Sequence, residues 1–464
     1  MRLYNTLTKT ESEIVFPTKK NLNLFVCGPT VYDDPHLGNA RVYLTFDTLV
    51  RFWRSQGKKI FYLQNITDID DKIIAKAREE NATPKAIAQR YLRAYQKNMR
   101  SLGVISVDRY ALATKYIKDI KRQIETLIAK GHAYKIENDG WYFDLKTFSD
   151  YGQLAGRTVE QAEDGTSRID ASDQKRNRGD FCLWKFKRDG EPSWRANFGD
   201  GRPGWHIEDT AISEHHLGQQ YDLHGGGVDL TFPHHEAEIA QQESASGKKP
   251  FVRHWAHIGL VNVDGKKMSK SLKNFITINE YLGKNSADAL RLLFLQHDYR
   301  HTINLTAGSF TDAEKAILGI KNFLRKLDFV ASVAKNTTTP PDTARIKENF
   351  AEEYLRHLEN GFQTPAAIAS VFKLIGSYEP IIWRLNKSEA REVKKMLNEK
   401  LAWLGFEPTG DKIPRAVLKI AARRDTLRNH QQFMHSDALR KELEGLGYTI
   451  EDTPLGSFIS KATS

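Results

Sequence analysis

Short apolar runs separated by longer amphipathic stretches set the first expectation for this chain. LNLFVCG, residues 22–28, is an apolar run stopped by Gly28-Pro29, and KKIFYLQNITD, residues 58–68, has the same character. Both read as buried strands. Between them, HLGNARVYLTFDTLVRFWRSQG carries apolar residues at helical spacing and closes on Gly57. The order is strand, helix, strand, which is a parallel α/β unit. Residues from about 71 to 130 are predicted helical, with DDKIIAKAREE and AIAQRYLRAYQKNMRSLG the clearest pieces. WYFDLKTFSDYGQL and the basic, loop-like KRNRGDFCLWKFKRDGEPSW then break the pattern as an insertion would. A second α/β half begins near residue 202, with strands predicted at QYDLHGG and HWAHIGLVNV. From about 305 the pattern is helical, interrupted near 336 by NTTTPPDT, a loop or linker composition. No internal repeat is visible.

Composition narrows the class. A chain of 464 residues is too long for one ordinary core, so two to four domains are expected. No run of about 18 apolar residues occurs, and MRLYNTLTKTESE lacks the apolar centre of a signal peptide, so the expected compartment is the cytoplasm, with no membrane partner. Two cysteines, Cys27 and Cys182, make a disulfide framework improbable and leave thiols free for chemistry or metal. A formal charge of +11 implies attraction to polyanions, with nucleic acid the leading partner.

Three local patterns carry chemistry. In FPHHEAE, residues 232–238, a helix starting near Pro233 would put His234 and Glu238 on one face, while His235 and Glu236 point elsewhere. Taken alone, that pair reads as a solvated helical salt bridge, or as half of a metal site. PHLGNAR, residues 35–41, lies between the first strand and its helix, where backbone N–H groups and the helix dipole can hold phosphate. His36 supplies a donor there, and Gly38 lets a ligand approach the backbone. KKMSKS, residues 266–271, sets lysines beside small hydroxyl residues. That composition suits a loop closing on pyrophosphate, or an ordinary basic surface loop.

PHLGNAR resembles the HIGH motif of class I aminoacyl-tRNA synthetases, and KMSKS, about 230 residues later, matches the second motif of that class. VCGPTVYDDPHLGNAR, NITDIDDKI, GRPGWHIE, HGGGVDLTFPHHEAEIAQ, KMSKSLKNF and the closing LGYTIEDTPLGSF all resemble the cysteinyl-tRNA synthetase family, over nearly the whole chain.

The resemblance implies an α/β fold with a Rossmann-type parallel-sheet catalytic domain split by an insertion, followed by a mostly helical C-terminal tRNA-binding region. The implied boundaries are 1–110 and 201–260 for the two catalytic halves, 111–200 for the insertion, 261–310 for the KMSKS loop and stem-contact region, and 311–464 for the tRNA and anticodon region. The implied activity is a cysteine–tRNA ligase that joins L-cysteine to ATP as an adenylate and then to the terminal ribose of tRNA(Cys), acting as a monomer. One zinc ion would be held by Cys27, Asp209, His234 and Glu238, with magnesium accompanying ATP through ligands the sequence does not reveal. Gly28, Thr67, Trp205 and Asp229 would line the cysteine pocket. His36, Gly38, Asn39, Lys267 and Lys270 would contact ATP, with His36 and Lys270 at the chemistry.

Two departures stand out. Asn39 occupies the second histidine position of the first motif, and Asp209 stands where the family usually has cysteine, placing a hard oxygen among the ligands. Bland alternatives for the same residues are a buried apolar role for Cys27 and a cap on the helix DTAISEHH for Asp209. Two rival functions share the motifs. One is a ligase attaching cysteine to an amino sugar, which lacks a full tRNA-binding end, whereas here about 150 residues follow the α/β portion, including the basic RAVLKIAARRDTLRN. The other is an inert RNA-binding paralogue that has lost its metal through Asp209. Simple zinc storage, without tRNA, is a more distant reading.

Overall fold

The computed structural model describes residues 1–157, 172–268, 274–336, 341–407 and 413–462. They form two compact units, one of residues 1–283 with 299–304, the other of residues 284–298 with 305–464.

The first unit is built on a five-stranded sheet of β1 (Leu22–Val26), β2 (Ile60–Ile66), β3 (Arg109–Leu112), β4 (Tyr221–Gly227) and β5 (Val252–Ile258). Every pairing is parallel and the spatial order is β5-β4-β1-β2-β3. Covered on both faces, β1 and β2 bury nearly every side chain, Gln64 and Asn65 included, which explains their mostly apolar text. Strand order reverses direction between β1 and β4, and in doubly wound sheets ligands bind outside the carboxyl ends of the strands at that switch point. The register places Phe25 beside His224 and Val26 beside Gly225, so both strands end together there.

Helix α1 (Leu37–Ser55) crosses from β1 to β2 as predicted. It lies directly on β4 because Gly225 has no side chain: a Cβ there would sit 2.1 Å from the Phe46 ring. Arg41 of α1 is buried. Its Nη1 donates to the carbonyls of Gly259 and Leu260 at 2.7 and 2.8 Å, and its Nη2 to that of His301 at 2.7 Å. This pins the chain leaving β5 against the start of α1. Helices α2 (Trp205–Leu217) and α3 (Glu236–Ser246) flank β4 in sequence and are buried on most sides.

Two segments depart from the expected pattern. The stretch predicted helical from 71 to 130 contains strand β3, whose four residues RYAL are too short and too charged at their start to signal a strand. The basic text around residue 181 is not a loop. Phe181–Phe186 is an interior strand of a four-stranded antiparallel sheet with Ala133–Ile136, Gly140–Phe143 and Gly201–Pro203. Flanking lysines and arginines mask the buried FCLW at its heart.

The second unit is mostly helical, with long helices at Ala307–Val333, Ala344–Glu359, Thr364–Tyr378 and Lys387–Trp403. It ends in two further helices and an antiparallel hairpin, Tyr448–Thr453 with Gly456–Lys461, within the mostly helical region expected there. The buried Arg424 binds Asp452 of the hairpin through Nη1 and Nη2. Among the described residues, no helix is long and apolar enough to cross a membrane.

Candidate active site

A cavity of about 550 Å³ opens at the switch point. Cys27 and Gly28, just past β1, form its floor, and the β1–α1 loop with His36, Gly38 and Asn39 forms one side. Trp205 and Asp209 of α2, Asp229 and His234 lie around the inner end, and Lys267, Met268 and Phe275 around the outer. Of the residues expected to meet cysteine, Gly28, Trp205 and Asp229 line this cavity. Thr67 lies beside it, its hydroxyl donating to Glu208 Oε2 at 2.9 Å. Of those expected to meet ATP, His36, Gly38, Asn39 and Lys267 line it, while Lys270 lies outside the described residues.

At the outer end the loop is preset. His36 caps α1, its Nδ1 accepting from Gly38 N at 3.0 Å, and Asn39 Oδ1 accepts from His36 N at 3.1 Å. Asn39 therefore locks the helix start by a reciprocal pair of hydrogen bonds, a task that needs an acceptor and no proton. Glycine at 38 leaves the His36 ring its place, since a Cβ there would meet the ring at 2.7 Å. Burial pushes the His36 imidazole below its ordinary range, against the pull of Asp229 and Asp33, so it stands neutral beside the N-terminus of α1.

At the inner end Cys27, Asp209, His234 and Glu238 converge, all buried. The Cys27 thiol donates to Asp209 Oδ2 at 3.2 Å, and His234 Nε2 lies 3.1 Å from both Asp209 Oδ2 and Glu238 Oε1. Cys27 Sγ and Glu238 Oε1 are 3.9 Å apart. Such separations approach the roughly 3.3–3.6 Å edges that tetrahedral bonds of about 2.0–2.3 Å generate. Asp209 is held from behind: Asn65 Nδ2 donates to its Oδ1, while Asn65 Oδ1 accepts from Gly28 N. Asp209 lies in the second turn of α2, whose N-cap is Gly204, so it caps nothing. His234 is oriented by His206, Nδ1 to Nδ1 at 2.8 Å, and by the Trp205 ring stacked on it at 4.1 Å.

Electrostatics agree with a cation in this place. Burial, then Asp209 and Glu238, drive the Cys27 thiol well above its ordinary range, and burial with Asp209 drives the Glu238 carboxyl up likewise. Glu238 Oε2 is buried with no hydrogen-bond partner. A divalent cation would reverse each of these penalties, deprotonating the thiol outright. Thiolate, imidazole and carboxylate together suit a borderline-soft ion.

His235 was expected to point away, yet its Nε2 lies 3.1 Å from Cys27 Sγ. The regular helix begins only at Glu236. In the wide turn Thr231–His235 before it, Phe232 is extended (φ −139°, ψ 134°), and both histidines turn inward. Glu236 does point elsewhere, accepting from Gly152 N and Ala155 N. His224 joins from β4, its Nε2 at 3.3 Å from Cys27 Sγ. Sequence reasoning missed His224, His235 and Asn65. The repeated imidazoles of HGGG and PHH were the available signal, but strand parity alone does not say which sheet face holds the site.

Comparison with known proteins places this geometry. Residues 13–315 match the family model described as tRNA synthetases class I (C) catalytic domain. A cysteine–tRNA ligase of Thermoplasma volcanium is 41% identical over 454 residues, covering 97% of this chain and 98% of that one. One from Caldicellulosiruptor saccharolyticus is 37% identical, covering 99% and 100%. Among solved structures, Mycobacterium tuberculosis methionyl-tRNA synthetase in complex with methionyl-adenylate shares the fold, with a TM-score of 0.61 at 16% identity over 84% of this chain and 92% of that one.

Proposed function

The chain belongs to the cysteine–tRNA ligase family of class I aminoacyl-tRNA synthetases, and from that premise we propose how its switch-point cavity is used. The reaction is the family's: the cysteine carboxylate attacks the α-phosphorus of ATP and expels pyrophosphate. The terminal ribose hydroxyl of tRNA(Cys) then attacks the adenylate and releases AMP. No covalent bond to the enzyme is needed.

Cysteine occupies the inner end, bounded by Gly28, Trp205 and Asp229, with its side chain directed at Cys27, Asp209, His234 and Glu238. Zinc held by those four would supply discrimination, because binding a soft thiolate separates cysteine from serine far better than an apolar pocket can. Trp205 holds the His234 ring in place, and Asn65 holds Asp209. ATP, with magnesium, occupies the outer end. The α1 N-terminus and neutral His36 face its phosphates, Gly38 permits close approach of the backbone, and Lys267 and Lys270 balance the charge that develops on pyrophosphate. The helical unit engages tRNA, with residues 111–200 as the insertion and 311–464 as the tRNA and anticodon region. The chain works as a cytoplasmic monomer.

The observation that carries this reading is a buried thiol, imidazole and carboxylate lining the inner end of the same cavity whose mouth carries the capped α1 terminus, with a second buried carboxylate, Glu238, converging on them. The test is cysteine-dependent pyrophosphate exchange, tRNA charging and metal analysis on one preparation. Exchange and charging with about one zinc per chain support it. Full activity in a chain free of metal would remove the zinc from the reading.

A further inference from the structure

Cys27 and Glu238 belong to two donor sets at once. Besides Asp209 and His234, they converge with His224 and His235, and the ligand atoms of this second set also lie within 4.8 Å of one another. We propose that Cys27, His224, His235 and Glu238 form a second, inner seat for the divalent cation, occupied while the cysteine pocket is empty. The proposal rests on reading Cys27 and Glu238 as metal ligands.

Each inner imidazole is prepared as a ligand. His224 Nε2 and His235 Nε2 face Cys27 Sγ at 3.3 and 3.1 Å, while their other nitrogens are engaged from behind. Tyr221 OH lies 2.6 Å from His224 Nδ1, and His257 Nε2 lies 2.8 Å from His235 Nδ1, with Thr6 Oγ1 at 2.9 Å from His257 Nδ1. Ligating histidines are oriented in this way by partners on the second nitrogen. Glu238 Oε1 is shared between the seats: it lies 3.1 Å from His234 Nε2, 3.9 Å from Cys27 Sγ and 4.0 Å from His235 Nε2.

Charge and access assign the two seats different states. One thiolate and one carboxylate neutralise a divalent cation in the inner seat. The outer seat adds Asp209, and an excess negative charge in a fully buried place is costly unless compensated. What draws the ion outward when cysteine binds is the added bond to a second soft sulfur, which outweighs that cost. The cavity is lined by Cys27, Asp209 and His234 of the outer seat, but by neither His224 nor His235. An incoming thiol therefore meets only an outer cation. On cysteine binding, Asp209, His234 and the substrate thiolate take over from the two inner imidazoles, and the thiol proton leaves to water through the open pocket. With aspartate in place of a second cysteine, the inner seat is what retains the cation between turnovers.

The test counts ligands by zinc X-ray absorption on the full-length chain loaded with one zinc. Two imidazoles and one sulfur are expected without cysteine, and one imidazole and two sulfurs with it. A single imidazole in both states overturns the inner seat and leaves the proposed function standing; absence of bound zinc removes both. His234→Ala should keep the cysteine-free spectrum unchanged. His235→Ala should weaken cysteine-free zinc retention by more than the roughly 10–100-fold typical of losing an outer-shell partner. Loss of cysteine-free zinc in His234→Ala, or unchanged retention in His235→Ala, would also overturn the proposal.

Discussion

Gly38→Ala separates the use of the cavity mouth from its stability. The new methyl carbon would lie 2.7 Å from His36 Cε1 and 2.9 Å from its Nδ1, so the ring must swing away and give up its 3.0 Å bond from Gly38 N. Losing a helix cap costs about 0.5–2 kcal/mol. Replacing glycine by alanine in a helix returns roughly 0.5–1 kcal/mol. The two largely offset, and the net effect on stability should lie between a gain of about 0.5 and a loss of about 1.5 kcal/mol. The ATP end has no such offset. If His36 donates to a phosphate, displacing it forfeits a hydrogen bond to a charged group, about 1.5–3 kcal/mol. At roughly 1.4 kcal/mol per decade, the KM for ATP should rise about ten- to a hundredfold. The assay is ATP dependence of cysteine-dependent pyrophosphate exchange, with urea midpoints on the same preparations. A variant with unchanged midpoint and unchanged ATP dependence would refute the placement of His36 at the phosphates.

Further outcomes follow from other sites. Asp209→Cys should slow zinc loss to a chelator relative to the parent chain, while Asp209→Ala should lower both metal content and activation; equal retention in all three would remove Asp209 as a ligand. Lys270→Ala should slow single-turnover adenylate formation by orders of magnitude with little change in cysteine affinity, because a phosphate clamp acts in the transition state. Binding of tRNA should weaken steeply with salt as counterions are released, and a flat salt response would remove phosphate contacts as the source of affinity. Burial lowers His254 to about 4, against an ordinary 6.5. The unfolded chain therefore binds the extra proton, and this site's stability loss grows as pH falls from about 6.5 toward 4. His254→Gln should recover roughly 1–3 kcal/mol of that acid loss, read from urea midpoints at pH 7 and pH 4. A parallel pH profile in the variant would contradict it.

How far the sequence reveals all this depends on local signal. Strands β1 and β2 and helix α1 were legible because short apolar runs and a capped amphipathic helix are signals contained in their own residues. Strand β3 and the strand Phe181–Phe186 were not, since their burial comes from neighbours distant in sequence. The motif at 35–41 pointed to its own place, and the structure adds why residue 39 can be asparagine: its role there is to accept from His36 N. His235 was misplaced because helical spacing was applied one turn too early. Asn65 carried no signal, as its hydrogen bonds to Asp209 and Gly28 join residues far apart in sequence.

The Arg41 contact has a consequence for acid tolerance. The span between α1 and the cavity wall at Gly259 and Leu260 is set by a guanidinium, which stays protonated in proteins, and by backbone carbonyls, which do not titrate. These contacts carry no titrating atom between about pH 4 and pH 8. Acid must reach the fold through other groups, among them buried imidazoles such as His254 of β5, whose Nδ1 lies 3.2 Å from Ser12 Oγ.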